Sequence, residues 1–285
     1  MISHFIEGLI KYQFLQNALI TSVIVGVVSG VIGCFIVLRG MSLMGDAISH
    51  AVLPGVAVSY IMGTNFLIGA SVFGLAAAGL IGFVTQKSKL KNDTAIGIVF
   101  SSFFAMGIIL ISFAKSSTDL YHILFGNVLA VRTSDMLTTA AVAVIVILFV
   151  IIFYKELLVS SFDPTMAKAY GLNVQLIHYA LMFLLTLVAV SALQTVGTIL
   201  VVAMLITPAA TAFLLTNNLS VMIVLSVILS TVSSVVGLFF SYSFNLASGA
   251  AIVLTAAVFF ILAFIFSPKQ GIVFNRKEVM NDEEN

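Results

Sequence analysis

Along its 285 residues the chain alternates long apolar runs with short polar breaks. Windows close to the roughly 20 residues a helix needs to cross a bilayer fall at 17–38, 45–62, 66–85, 94–114, 136–154, 174–193, 197–215, 220–241 and 247–267. The second is short and carries Asp46, His50 and Pro54, and the breaks "TN" at 64 and "QTVG" at 194 are tight. Eight crossings with one broken or partial helix therefore fit the pattern as well as nine. The expected fold is all-α: a polytopic transmembrane helical bundle of eight to nine spans, forming a single membrane domain over 1–285. Gly26 and Gly30, with Gly33 one turn on, form a small-residue face that lets a neighbouring helix approach closely.

The segments between windows refine this picture. In "MISHFIEGLIKYQ", Phe5, Ile6, Leu9 and Ile10 alternate with His4, Glu7 and Lys11, which predicts an interfacial helix within 1–16. The same stretch lacks the basic region, apolar run and small-residue cleavage site of a removable signal. Residues 115–132, "KSSTDLYHILFGNVLAVR", contain an apolar stretch that as a helix would rise about 18 Å, too short to span, so it reads as re-entrant or interfacial. Within that loop His122 and Asp119 suit either a solvated turn or a first contact for an incoming ion or docking protein.

Composition makes the membrane assignment firm: 61% of residues are hydrophobic and 8% charged, about a third of the charge expected of a soluble domain. From Ala169 to Pro268 there is no Asp, Glu, Lys or Arg at all. Net charge is +1 and the basic residues are scattered, which excludes a nucleic-acid partner. The lone Cys34 excludes an internal disulfide and a thiolate cluster from this chain alone.

Charge reports orientation instead, because cytoplasmic loops retain Lys and Arg. Placing Arg39, the segments 86–93 and 154–173, and the tail 269–285 inside puts nine basic residues in the cytoplasm, against Lys11, Lys115 and Arg132 outside. The N-terminus is then outside and the C-terminus inside.

One pair stands apart in this apolar chain. An aspartate within a transmembrane helix costs about 2.5–3.5 kcal/mol on insertion scales, so Asp46 needs a partner. His50 lies four residues on, on the same helix face. A carboxylate and a neutral imidazole without thiolate suit Mn²⁺, Zn²⁺ or Fe²⁺ rather than Cu⁺. Two protein ligands make a weak site, as transit requires. Metal binding needs His50 unprotonated, so affinity falls on acidification. Ser49, beside small Gly45 and Ala47, leaves room for further ligands. Two other readings stand: an N-terminal cap on a helix starting at "MGDAISHAV", and a proton relay. In "LITPAATAFLL", Thr207 and Pro208 interrupt an apolar span and free a carbonyl for the path or for a plain kink. His178, beside Gln175, belongs at the interface.

The chain has no phosphate-binding G-x-x-x-x-G-K-[ST] loop, no H-E-x-x-H and no G-x-S-x-G. It is expected to be a transport subunit rather than an enzyme, with no permanently bound cofactor; if it pumps, another chain hydrolyses ATP. The contact for that chain is the 155–173 loop, where Met166, Ala167, Ala169 and Tyr170 would form the packed face of a short helix after "FDP", ended by Gly171. The rival function is a secondary carrier or channel for divalent cations that uses an Asp/His relay without ATP. An intramembrane hydrolase ranks last, for want of a second catalytic group.

The stretches "LRGMSLMGDAISHAVLPGVA", "SSTDLYHILFGNVLAV", "SFDPTMAKAYGL" and "QTVGTILVVAMLITPAATA" together resemble the integral-membrane permeases of bacterial ABC importers for manganese, zinc and iron, most of all the manganese permeases of Gram-positive bacteria. The resemblance runs from about residue 10 to 268. It implies a type II importer-like permease in the bacterial plasma membrane that works as a homodimer. Its implied partners are two cytoplasmic ATP-binding subunits and an extracellular metal-binding lipoprotein. It implies further that Asp46 and His50 coordinate the transported ion, Mn²⁺ before Zn²⁺ or Fe²⁺, and that Phe162, Asp163 and Gly171 belong to the segment seated on the ATPase. Pro164 stands where the family usually shows an acidic residue.

Overall fold

The computed structural model describes residues 2–113 and 128–267. Its helices are α1 (Ile2–Lys11), α2 (Gln13–Leu38), α3 (Leu43–Ala51), α4 (Leu53–Met62), α5 (Phe66–Lys87), α6 (Asn92–Phe113), α7 (Thr133–Ile152), α8 (Tyr154–Phe162), α9 (Pro164–Ala169), α10 (Val174–Val196), α11 (Thr198–Leu215), α12 (Leu219–Phe244) and α13 (Ser248–Phe266), with a 3₁₀ turn at Val128–Ala130. Eight of them, α2, α5, α6, α7 and α10–α13, are long and apolar enough to cross a membrane. The chain is an all-α polytopic bundle. The apolar stretch of the 115–132 loop, with Asp119 and His122, and the tail 269–285 lie outside the described residues.

The second window is two short helices, and Pro54 supplies the reason. It sits in the first turn of α4, lacks an N–H, and cannot bond the carbonyl of His50 four residues back. The helix breaks at Val52, so α3 and α4 are too short to cross singly. Small residues let the broken pair sink into the bundle: a Cβ on Gly55 would collide with the Gly69 backbone of α5, and a Cβ on Gly107 of α6 would come within 2.8 Å of Leu53.

Helix α2 is the most buried of the long helices and packs against α7, α10, α11 and α12. Its small-residue face serves two neighbours rather than one. Gly26 and Gly30 receive Ser226, Ser230 and Ser234 of α12, while Gly33 lies against the Leu205 carbonyl of α11. Ser226 Oγ donates to the Gly30 carbonyl at 3.1 Å and Ser234 Oγ to the Ser22 carbonyl at 3.1 Å. Helix α1 packs Phe5 against Phe239 and Tyr242 of α12.

Polar bonds sort the helix ends into two groups. At one end Asn17 donates to Thr133 and Gln194 to Asp135. At the other Arg39 donates to Ser160 and Ser161, Tyr154 meets Ser220, and Ser267 donates to the Leu214 carbonyl. Arg39, Gln86, Asn92 and Lys168 line one cavity at that second end, so the basic segments at 39, 86–93 and 154–173 share an end, as the charge pattern requires.

Candidate functional site: an Asp–His pair facing an intramembrane cleft

Asp46 and His50 project from one face of α3, with Asp46 Oδ1 3.4 Å from His50 Nε2. The Asp46 side chain is 45% exposed and that of His50 26%. The helix begins at Leu43, so Asp46 lies inside its first turn and is not the cap; Ser42 holds that position. The capping alternative is thereby removed, although the helix N-terminus still favours the carboxylate.

The His50 ring lies edge-on to Phe100 and Phe104 of α6, at centroid distances of 5.7 and 5.6 Å, and those two rings stack on each other. This aromatic wall restricts how the imidazole can turn. Its Nδ1 is buried and has no hydrogen-bond partner, a costly state for a polar atom in an apolar setting. The pair therefore has unmet bonding capacity.

The two side chains open onto a cavity of about 570 Å³. Phe104 adjoins them, and the opposite wall is a stripe of α11: Ile199, Val202, Ala203, Ile206 and Thr207. Thr207 lines the cavity, and its carbonyl already accepts from Thr211 Oγ1 at 2.7 Å. The carbonyl released by Pro208 is that of Met204, a turn earlier. Ser49 does not line the cavity; it is buried and donates to the Gly45 carbonyl at 2.8 Å. Among the described residues no group of three or more His, Cys, Asp or Glu comes together. One chain thus places a carboxylate and an imidazole, side chains of metal-ligating type, on one wall of a mainly apolar cleft.

The 155–173 loop folds as α8 and α9. Asp163 caps α9, accepting from the N–H groups of Thr165 and Met166, both at 2.9 Å, and Pro164 takes the first helical position, where its missing N–H is harmless. Gly171 adopts a positive φ of 79° and closes the turn, its N–H bonded to the Lys168 carbonyl. The packed face differs from the expected one: only Ala167 is buried, while Met166, Ala169 and Tyr170 are exposed. Ala167 alone packs against the bundle, and the exposed Pro164 and Lys168 line a cavity beside it. Phe162, the last residue of α8, and Met166 and Tyr170 of the α9 segment are exposed apolar side chains.

Residues 11–267 match the model of the ABC 3 transport family. The chain belongs to that family. It is 74% identical over 273 residues to the manganese transport system membrane protein MntC of Listeria monocytogenes, covering 96% of this chain and 98% of the relative. It is 61% identical over 270 residues to the manganese import system permease protein ScaB of Streptococcus gordonii, covering 95% and 97%. The solved structure of PsaBC from Streptococcus pneumoniae in complex with Fab superposes with a TM-score of 0.86 at 61% identity, covering 95% of this chain and 98% of that one. As a member of the ABC 3 family the chain is a membrane permease component and not itself a catalyst.

Phe100 and Phe104 escape sequence reasoning. They are two of 24 phenylalanines, and a four-residue aromatic spacing in an apolar span is indistinguishable from packing.

Proposed function

We propose that this chain is the membrane-spanning subunit of an ATP-driven importer that moves a divalent transition metal ion, Mn²⁺, into the bacterial cell. The observation that carries the reading is the Asp46–His50 pair, set on a membrane-embedded helix with bonding capacity to spare and facing a cleft. The manganese-named relatives support the choice of ion.

Two ligands and one wall do not enclose a cation that favours about six. A second copy of the chain, its own Asp46 and His50 facing the first pair, supplies the remaining side-chain ligands and closes the apolar stripe of α11 into a pathway. Waters complete the shell, and incomplete enclosure lets the ion leave. The Arg39 end is cytoplasmic, with the N-terminus outside and the C-terminus inside. There the exposed Phe162, Met166 and Tyr170, around an α9 fixed at its start by Asp163 and ended by Gly171, seat one of two ATP-binding subunits. An extracellular metal-binding lipoprotein delivers the ion to the opposite end. ATP acts through its different affinity for the outward-open and inward-open arrangements.

The test is Mn²⁺ uptake into vesicles containing the purified chain, with and without its ATP-binding subunit. Uptake that needs both the subunit and ATP is expected. Uptake by the chain alone, driven by an ion gradient, would establish the carrier reading instead.

A further inference from the structure

At the end of the bundle that carries α9, a second cavity of about 470 Å³ lies between the ends of α2, α5 and α8 and the starts of α6, α9 and α10. Two of its lining residues carry positive charge, Arg39 and Lys168, with the His178 imidazole beside them, and none is acidic. The acids nearest in sequence do not face it: Asp93 is absent from the wall, and the Asp163 carboxylate is committed to the α9 N–H groups.

Arg39 is held in place for something. Its Nε donates to Ser161 Oγ at 3.1 Å and its Nη2 to Ser160 Oγ at 2.6 Å, which fixes the guanidinium plane. Among the described residues no carboxylate lies within 4 Å of it, although a partly buried charge is costly without a counter-charge. Ser160 donates its own O–H to the Leu157 carbonyl, whereas Ser161 accepts from Arg39 and lines the cavity with its hydroxyl. The amides of Gln86 and Asn92 add further donors. A planar guanidinium, a lysine and neighbouring hydroxyl and amide donors are the set that recognises phosphate. Basic pockets between transmembrane helices at the cytoplasmic surface are suited to phospholipid headgroups.

We infer that this cavity is a phosphate-binding site, filled by the headgroup of an anionic phospholipid or by free phosphate, which ties α9 to the end of α2. Pro164 and Lys168 form the α9 face toward the cavity, while Met166 points the other way, so the ligand sits behind the exposed apolar side chains and does not compete with a protein seated on them. The chain would bind this group whether or not it carries a metal.

The experiment measures thermal unfolding of the purified full chain in neutral detergent during titration with inorganic phosphate, against chloride at equal ionic strength. In parallel it compares bilayer discs of phosphatidylglycerol with discs of phosphatidylcholine. A rise in the midpoint with phosphate marks a free anion as sufficient, and a rise with phosphatidylglycerol alone marks a lipid headgroup. In either case the variant Lys168→Gln/His178→Gln should require roughly tenfold more ligand, the loss expected for charge-assisted bonds. Should that variant fail to fold, Lys168→Gln alone, at an exposed position, carries the same comparison. No response from either ligand, or a variant that responds like the parent chain, overturns the inference.

Discussion

The α2–α12 seam and the cleft beside α3 both place polar side chains inside an apolar bundle, and they treat them in opposite ways. In the seam Ser226, Ser230 and Ser234 each bond a backbone carbonyl, on their own helix or across to α2. Their bonding is mostly spent, and the helices meet at backbone distance. In the cleft Asp46 is half-exposed and the Nδ1 of His50 has no partner. Lipid offers such groups nothing. The bonded serines hold two helices together, whereas Asp46 and His50 present polar groups to a cleft; a missing partner alone does not mark a site, since Thr21, Ser29 and Ser233 on the two seam helices are also buried without one.

The largest effect should come from the cleft. On the proposed reading, Asp46→Ala and His50→Ala each remove one of two ligands per chain and are expected to lower Mn²⁺ uptake by at least about 100-fold, beyond the usual loss for an outer-shell partner. Radiolabelled manganese accumulation at matched membrane levels is the measurement. Both variants should unfold at the parent temperature, since neither group holds the bundle. Normal uptake in either would remove that residue from the path.

The pair was legible in the sequence because a four-residue spacing is a property of the helix itself, and because charge is rare enough here for two ionisable groups to stand out. Pro54 likewise marked the second window as one that could be broken rather than a full span. Of the facing wall only Thr207 was legible. Helix α11 is apolar all round, so no stripe in its sequence says that Ile199, Val202 and Ile206 line a cleft while Val201 and Leu205 are buried. The partners of Gly33 and Arg39 were hidden for a related reason: contacts with Leu205 and with Ser160 and Ser161 join residues far apart in the chain, and local periodicity carries no information about them. Which side of α9 meets the bundle was not legible, because a six-residue helix is too short for its pattern to decide which side packs.

Next in size comes a steric break of the scaffold. A Cβ at Gly33 would meet the Leu205 carbonyl oxygen, which is backbone and cannot rotate away. Gly33→Ala should therefore cost about 1–3 kcal/mol, the range for overpacked cores, read as a lower thermal midpoint of the purified chain. Gly40, by contrast, has nothing within 4 Å of where its Cβ would stand, and any penalty for Gly40→Ala comes only from its positive φ of 63°. A Gly33→Ala chain as stable as the parent would mean that α2 and α11 can separate freely, and the rigid side of the contrast would fail.

Phe104→Ala tests whether the cleft needs its aromatic wall. The ring confines His50 without ligating anything, so its loss should loosen a ligand rather than remove it. Uptake is expected to fall about tenfold, the lower bound for groups that orient a metal ligand, with the deficit appearing at low Mn²⁺ and shrinking at saturating Mn²⁺. A deficit that persists at saturation would mean that Phe104 acts on the motion of the chain and not on His50.

The smallest effect returns to the seam. Ser226→Ala deletes the hydroxyl that spans from α12 to the Gly30 carbonyl but leaves a methyl of nearly the same size, so the close approach at Gly30 survives. That carbonyl can still serve its own helix, where Cys34 Sγ already donates to it at 3.2 Å, and no buried acceptor is orphaned. Interhelical hydrogen bonds inside membranes contribute about 0.6 kcal/mol on average, and a change of that size in thermal or denaturant unfolding, with uptake unaltered, is expected. If Ser226→Ala instead halved uptake while stability held, α2 and α12 would have to slide against each other during transport, and the seam would belong to the moving part of the protein.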